Sequence, residues 1–121
     1  METLIRRKTI YAGTANTLVD ISLLNPPYPG TAMSFTGYTW EMEINTKADG
    51  TGTKLASATV TITANRIVAT LTVAQSNAVV AGAVNGVVYS TLLGAASGAE
   101  PVAFVDLTCP VKGIATVWGV S

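Results

Sequence analysis

The clearest pattern along the chain is a strict alternation of apolar and polar residues from Tyr38 to Asn45. One side of this segment carries Tyr38, Trp40, Met42 and Ile44. The other side carries Thr39, Glu41 and Glu43. A period of two residues is typical of a β-strand with one buried face and one hydrated face. We therefore predict a strand here, with Trp40 directed into the core.

The same pattern predicts further strands on both sides of this one. Ala56 to Thr63 alternates in the same way, and the turn-rich connector Lys47 to Gly52 before it predicts a hairpin. Ala64-Asn65 predicts a tight turn into a partner strand. Pro110 is expected to end the last strand, because proline cannot donate to a ladder. The remaining strand candidates are Arg7–Tyr11, Thr17–Leu24, Arg66–Leu71, Val87–Leu93 and Val102–Cys109.

One segment has helix signals instead. Thr72 and Gln75 have the spacing of a capping box, in which each side chain bonds the other residue's backbone N–H. We predict a short helix from Val73 to about Val80, stopped by Gly82. About seven short strands and this helix predict an all-β fold, an immunoglobulin-like antiparallel β-sandwich. Its length of 121 residues predicts a single domain, with an N-terminal arm (1–8) and a C-terminal tail (112–121).

Composition shows how little charge the surface carries. Charged residues make up 12% of the chain, against roughly 25% in an ordinary soluble domain. Seven Lys and Arg balance seven Asp and Glu, so the formal net charge is zero. A neutral chain has no general attraction for nucleic acid or for an anionic membrane surface, and it tends to associate. We expect protein partners, no nucleic acid and no membrane.

The residue types that most catalytic and metal sites need are scarce. The chain has no histidine, and Cys109 is its single cysteine, which excludes Ser-His pairs, Cys-His pairs and thiolate-rich metal sites. Glu41 and Glu43 are interpreted as a hydrated strand face, and Asp49-Gly50-Thr51-Gly52 as a hairpin turn rather than a calcium loop. Cys109 is interpreted as a structural thiol. We therefore predict no catalytic residue, no metal and no cofactor, and a protein that is not an enzyme.

Five residues are candidates for contact with a partner. Arg6, Arg7 and Lys8 hold three of the seven basic residues. They form either an arm that grips an acidic patch on a neighbouring subunit or a hydrated strand edge. Trp118, near the end of the chain, either packs back on its own sandwich or anchors in a partner's groove. Tyr28, in a proline-rich connector, has the same two interpretations.

Two short motifs resemble a known family. Phe35-Thr36-Gly37-Tyr38, preceded by Ser34 where aspartate is usual, resembles the DLTGY segment that opens the strand crossing the sandwich in small immunoglobulin-like domains of tailed bacteriophages. Leu71 to Gln75 resembles their LT-x-x-Q segment, which caps a short helix between strands. From about Lys8 to Val111 the chain resembles these domains. They include the N-terminal domain of the upper baseplate protein family and related short phage structural proteins.

The resemblance implies a non-catalytic virion structural protein that is assembled in the host cytoplasm. The leading expectation is an accessory subunit, either a head decoration (cement) protein or a fibre-anchoring protein, that bridges neighbouring subunits. The alternative is a baseplate or tail adaptor subunit for a fibre. From a different class, a small carbohydrate-binding β-sandwich would need exposed aromatic residues together on one face. The implied partners are other capsid, tail or baseplate proteins and further copies of the chain, commonly as trimers.

The sequence also predicts poorly protected sheet edges. Edge strands have unpaired backbone groups and are usually guarded by charge or proline. The hairpin from Ala56 to Leu71 contains Arg66 as its only charged residue, and the segment from Ala78 to Ala99 contains none. We expect neighbouring copies or a particle surface to cover these edges.

Overall fold

The computed structural model describes residues 3–23, 35 and 37–113. Two sheets face each other across one hydrophobic core, so the predicted all-β sandwich with a single short helix is confirmed, and it is compatible with an immunoglobulin-like sandwich. The described residues form nine strands rather than about seven. In chain order the elements are β1 (Leu4–Arg7), β2 (Ile10–Tyr11), β3 (Asn16–Ser22), β4 (Thr39–Asn45), β5 (Lys54–Ser57), β6 (Thr59–Thr63), β7 (Arg66–Leu71), α1 (Val73–Gly82), β8 (Val87–Ala95) and β9 (Val102–Lys112).

The strands are divided unequally between the sheets. The large sheet has the order β1-β9-β8-β4-β5, with β2 also paired to β9. The small sheet has the order β3-β7-β6. The predicted antiparallel pairing holds for all pairs except β1 and β2, which run parallel to β9. Parallel pairing needs a long connection rather than a hairpin, and here nearly the whole sandwich separates the two ends of the chain.

The strand predicted over Arg7–Tyr11 is present as two strands. Arg7 lies opposite Thr108, and pairing with β9 resumes where Ile10 lies opposite Val111. β1 also begins earlier than predicted, at Leu4. Half of the predicted N-terminal arm is therefore a paired strand of the large sheet.

Pro110 lies inside β9, and the prediction that it ends the strand is wrong. The N–H of Val111 donates to the carbonyl of Gly86, on the β8 side, at 3.0 Å. Because successive backbone groups of a strand point to opposite edges, the nitrogen of Pro110 faces the gap between β1 and β2. Its missing N–H removes no ladder bond there, and β9 continues to Lys112.

The strand predicted over Ala56–Thr63 changes sheets in its middle. β5 pairs with β4 in the large sheet, whereas β6 pairs with β7 in the small sheet. At the change, the N–H of Ala58 donates to the carbonyl of Met42 at 2.8 Å. Strands that bend from one sheet to the other in this way form the corners of a sandwich.

The core lies between the inner faces of the two sheets. Its largest fully buried side chains include Met42, Ile44, Ile67, Leu71, Val88, Leu92, Val105 and Leu107. An aromatic cluster of Phe35, Tyr38, Trp40 and Phe104 packs against this core. Gly94 lies opposite Trp40 on β8, and a Cβ atom there would be 2.5 Å from the indole ring. The predicted inward direction of Trp40 is confirmed.

The helix begins as predicted and ends at Gly82. The N–H of Gln75 donates to Oγ1 of Thr72 at 3.2 Å, and the N–H of Thr72 donates to Oε1 of Gln75 at 2.9 Å, which completes the capping box. On the inner side of the helix, Ser76 and Val79 are buried. These contacts hold α1 against the body of the sandwich.

The two uncharged segments lie in different places in the sheets. β8, within Ala78–Ala99, is a central strand paired on both sides, so the expectation of an unprotected edge there is wrong. Among the described strands β6, within the Ala56–Leu71 hairpin, is an edge strand of the small sheet, while the covering of this edge by other subunits stays a prediction. Sequence composition alone does not distinguish an edge strand from a central one.

Candidate interaction site

The structure brings three of the five predicted contact residues to one sheet edge. Arg6 and Arg7 lie on β1, Lys8 follows directly, and all three are exposed. In the described structure β1 pairs only with β9, so its other side is an edge of the large sheet. We call Arg6, Arg7 and Lys8 the basic edge. The sequence left two interpretations of these residues, an arm that grips a neighbouring subunit or a hydrated strand edge. The backbone of Arg6 and Arg7 forms a strand edge, because β1 is paired with β9.

The basic edge presents charge on both faces of β1. Leu4 packs against the core, and Arg6, two residues later, lies on the same inner side. Ile5 and Arg7 lie on the outer side, where Ile5 is 79% exposed. An inward-pointing charge on an edge strand discourages pairing with an unrelated strand. A strand added at this edge therefore needs an anionic group to match Arg6.

A cleft of about 180 Å³ lies between the basic edge and β3 of the small sheet. Its apolar floor includes Leu18 and Val19 from β3 and Val105 and Leu107 from β9, all of them buried. The basic edge contributes its rim. A cationic rim above an apolar floor is complementary to a segment that carries both acidic and apolar side chains.

The acidic residue on the opposite rim of the cleft is already neutralised. Asp20 accepts hydrogen bonds from Nε and Nη2 of Arg66 at 2.8 and 2.7 Å. These hydrogen bonds hold the pKa of Asp20 below its usual value. The second salt bridge among the described residues joins Lys54 to Glu43 at 3.0 Å. Neither of these two salt bridges involves the basic edge.

The other two predicted contact residues, Tyr28 and Trp118, lie outside the described residues. Most of the predicted C-terminal tail, 114–121, lies outside them as well. Lys112, where that tail was expected to begin, is the last residue of β9. The interpretations of Tyr28 and Trp118 stay predictions.

The outward side of α1 is a further candidate surface, which sequence reasoning missed. Helices on a protein surface usually carry charged and polar residues on their outward side. Here the first turn has no acidic residue and the last turn has no basic residue. Because the segment is apolar or small at most positions, its sequence does not reveal which side faces out. The exposed residues are Val73, Ala74, Asn77, Ala78 and Ala81, followed by Val84 after the helix.

A shallow groove of about 280 Å³ lies on the outer face of the large sheet. Tyr89 lines it together with Glu41, Glu43 and Asn45 of β4. The hydrogen bond from Lys54 holds the pKa of Glu43 below its usual value. The two strand carboxylates therefore lie on a hydrated face, as predicted.

The described aromatic residues do not form a binding platform for a sugar. Tyr89 and Tyr11 lie on the outer face of the large sheet, opposite Thr108 and Lys112 respectively. Four residues along β9 separate these positions, a rise of about 13 Å. Trp40 packs among the inner aromatic cluster. The carbohydrate-binding alternative gains no support from this arrangement.

The Asp49-Gly50-Thr51-Gly52 segment forms the predicted turn. Oδ1 of Asp49 accepts hydrogen bonds from the N–H and from Oγ1 of Thr51, at 3.0 and 2.7 Å. These hydrogen bonds lower the pKa of Asp49. Within the described ranges, no group of three or more His, Cys, Asp or Glu residues is placed to hold a metal ion.

Cys109 should be unreactive in the folded protein. Its side chain is fully buried, and burial raises the pKa of the thiol to about 12. Because the thiolate is the reactive form, we expect negligible alkylation by iodoacetamide at pH 8 and rapid alkylation in denaturant, both measured by mass spectrometry. Rapid labelling of the native protein would show that β9 opens locally at Cys109.

Comparison with known proteins leaves the family open. No protein-family model matches the sequence, and no curated protein matches it significantly. In the part of the chain that the structure describes, no helix is long and apolar enough to cross a membrane. Function is therefore inferred from the geometry above and from the resemblance in the motifs.

Proposed function

We propose that this chain is a non-catalytic structural subunit of a tailed-phage particle, an accessory protein that bridges neighbouring subunits as a head decoration or fibre-anchoring protein. It attaches through the basic edge and the adjoining cleft to an extended acidic segment of a neighbouring subunit. The observation that carries this proposal is the position of three exposed cations beside an apolar cleft at a sheet edge.

Binding at this site combines three kinds of contact. The free side of β1 offers backbone groups to an added strand, as in other cases of strand addition to a sheet edge. Apolar side chains of the added strand enter the cleft between Leu18 and Leu107. Acidic side chains pair with Arg6 and Arg7, whose planar guanidinium groups suit carboxylates. Complementary charge then selects the partner and sets the register.

A bridging subunit also needs a second contact surface. The outward side of α1, with Val73 and Val84 exposed and no charge at either end, is suited to this role. The low charge content of the chain supports a role as a subunit of an assembly, because a neutral surface with apolar patches favours association. That this assembly is a phage particle is proposed because the Phe35–Tyr38 and Leu71–Gln75 motifs resemble those of phage domains.

Reversing the charge of the basic edge should detach the protein from the particle. In the double variant Arg6→Glu/Arg7→Glu, we expect binding to fall at least about tenfold, because like charges then face each other across the contact. The folded state should change little, since both side chains are exposed and lie outside the described salt bridges. Co-sedimentation with gradient-purified particles of the phage that encodes the chain measures binding, and circular dichroism measures folding.

The matched control is Lys47→Glu/Lys112→Glu, which makes the same change of charge at two exposed lysines outside the cleft. This variant should bind like the original protein. Equal loss of binding in both double variants would show that binding depends on the net charge of the protein and not on the basic edge. Absence of the unmodified protein from purified particles would overturn the proposed function itself.

A further inference from the structure

We propose that β6 pairs with β6 of a second copy of this chain, in antiparallel register about a twofold axis at Thr61, so that two small sheets join into one six-stranded sheet. This inference goes beyond the proposed function: it names a surface for the self-association that the low charge content of the chain predicts. The partner is therefore a second copy of the chain, and the surface is the edge of the small sheet where, among the described residues, β6 pairs only with β7.

β6 is the longest uncharged edge strand among the described residues, since β2 is also uncharged but has only two residues. Among the described strands, β1 carries Arg6 and Arg7, β3 carries Asp20 and β5 carries Lys54. β6 reads Thr-Val-Thr-Ile-Thr, with no charge and no proline, and every residue is β-branched. Its pairing with β7 is regular, with no bulge. Charge, proline and bulges are the features that keep strand edges apart, and β6 lacks all three.

The inner face of β6 is incompletely covered in the single chain. Val60 and Ile62 face the core but are only half-buried. Their neighbours across the ladder on β7, Ala69 and Ile67, are fully buried. An added strand would cover the exposed parts of Val60 and Ile62, which favours pairing through the hydrophobic effect.

The sequence of β6 is complementary to itself. With Thr61 on a twofold axis, Thr61 faces its own copy, Thr59 faces Thr63, and Val60 faces Ile62. Every cross-strand pair is then hydroxyl with hydroxyl on the outer face or aliphatic with aliphatic on the inner face. Both kinds of pair stabilise antiparallel sheets. A self-complementary patch is what an isologous interface between two copies requires.

The backbone N–H and C=O groups of β6 point in the directions that the proposed register requires. The two-residue turn at Ala64-Asn65 makes Thr63 and Arg66 the pair that closes the hairpin. In such a hairpin the closing pair is hydrogen-bonded, and the direction of the backbone groups then alternates along the strand. Val60 and Ile62 therefore direct their N–H and C=O groups to the free edge. In the proposed register each Val60 lies opposite an Ile62 of the second copy and exchanges both hydrogen bonds with it.

Charge placed at Thr61 tests the axis directly. Thr61 is exposed and lies on the outer face, so Thr61→Lys and Thr61→Glu should leave the fold intact while placing like charges opposite each other in the dimer. We expect each variant to raise the dimer dissociation constant at least about tenfold. Mixing the two variants should restore the dimer, because unlike charges then meet. Sedimentation equilibrium measures the mass of each species.

Thr17→Lys is the matched control, because Thr17 is an exposed threonine on β3, the opposite edge of the same sheet. This variant should stay dimeric. Hydrogen exchange gives a second reading: the amides of Val60 and Ile62 should be protected in the original protein and exchange rapidly in Thr61→Lys.

A monomer or a trimer of the original protein, or a dimer that tolerates both charges at Thr61, would overturn the proposed pairing. Each of these results concerns the free protein in solution. Attachment to particles through the basic edge is measured separately, so failure of the β6 pairing and failure of the proposed function are distinguishable.

Discussion

Replacing Trp40 by alanine is expected to lower the free energy of unfolding by about 3–5 kcal/mol, the range observed for truncation of large core aromatics. The indole stacks on Tyr38 at a centroid distance of 5.7 Å and meets the rings of Phe35 and Phe104 edge-on at 5.3 and 5.1 Å. Removing it takes away all three ring contacts and leaves a cavity above Gly94, which offers no side chain to fill it.

Chemical denaturation followed by far-ultraviolet circular dichroism measures this effect without relying on tryptophan fluorescence. Tyr89→Ala is the control, because Tyr89 is another half-buried aromatic residue of the large sheet but lies on its outer face. We expect that variant to lose less than about 1 kcal/mol. Similar losses in both variants would mean that the aromatic cluster does not stabilise the sandwich, and a negligible effect of Trp40→Ala would mean that the faces of β4 are reversed.

The features predicted correctly from the sequence are those set by neighbours within a few residues. The alternation in β4 identifies its buried face because side chains of a strand point to opposite sides. The capping box of α1 is visible because Thr72 and Gln75 meet within one helical turn. The two-residue turn at Ala64-Asn65 fixes the register of β6 against β7 in the same local way.

The features that were missed depend on contacts far apart in the chain. Nothing within residues 1–11 indicates that β1 and β2 run parallel to β9, a hundred residues later. Pro110 is tolerated in β9 because its nitrogen faces the gap between β1 and β2. The position of that gap depends on the tertiary structure and is not visible in the local sequence. The change of sheet at Ala58 leaves the apolar alternation unbroken, so the sequence shows one long strand where the structure has two.

The candidate site divides in the same way. The concentration of positive charge at Arg6, Arg7 and Lys8 is visible in the sequence and identified three contact candidates. The apolar cleft beside them is not visible, because it forms only when Leu18 and Val19 of β3 lie across from Leu107 of β9. The importance of β6 depends on strand order, since an uncharged strand matters at an edge and not in the centre of a sheet.

The two proposed surfaces perform different kinds of contact. Strand pairing at β6 is isologous and closes after two copies, so it does not lead to open-ended chains. Contact at the basic edge is with a different, acidic sequence, and the positive charge there opposes pairing of one basic edge with another. A dimer formed through β6 would present two basic edges. Simultaneous binding at both would raise its avidity for a particle surface that repeats.

Asn16 is a buried residue that joins the β2–β3 turn to the helix. Its Oδ1 accepts the N–H of Tyr11 at 3.1 Å. Its Nδ2 donates to the carbonyls of Tyr11 and Thr14 at 2.9 and 3.1 Å, and to Oγ of Ser76 at 2.8 Å. Asn16→Ala leaves these groups without their partner in a buried site. We expect a loss of about 2–3 kcal/mol, since unsatisfied buried polar groups cost 1–3 kcal/mol each and some relaxation is expected.

Asn77→Ala is the matched control, because exposed Asn77 makes a single bond to this turn, accepting the N–H of Gly13 at 2.6 Å. That variant should lose about 1 kcal/mol or less.

Asn16→Asp adds a second test, in which the free energy of unfolding is measured as a function of pH. It keeps the acceptor for the N–H of Tyr11 but replaces the donating Nδ2 with an oxygen that faces the carbonyl oxygens of Tyr11 and Thr14. Because these acceptors disfavour the ionised form, the pKa of the introduced carboxyl is raised in the folded state. A raised pKa means that the unfolded chain releases its proton first, so the stability deficit should grow as the pH rises above about 4. A deficit that is independent of pH, or equal losses in Asn16→Ala and Asn77→Ala, would show that Asn16 does not hold the turn and the helix together.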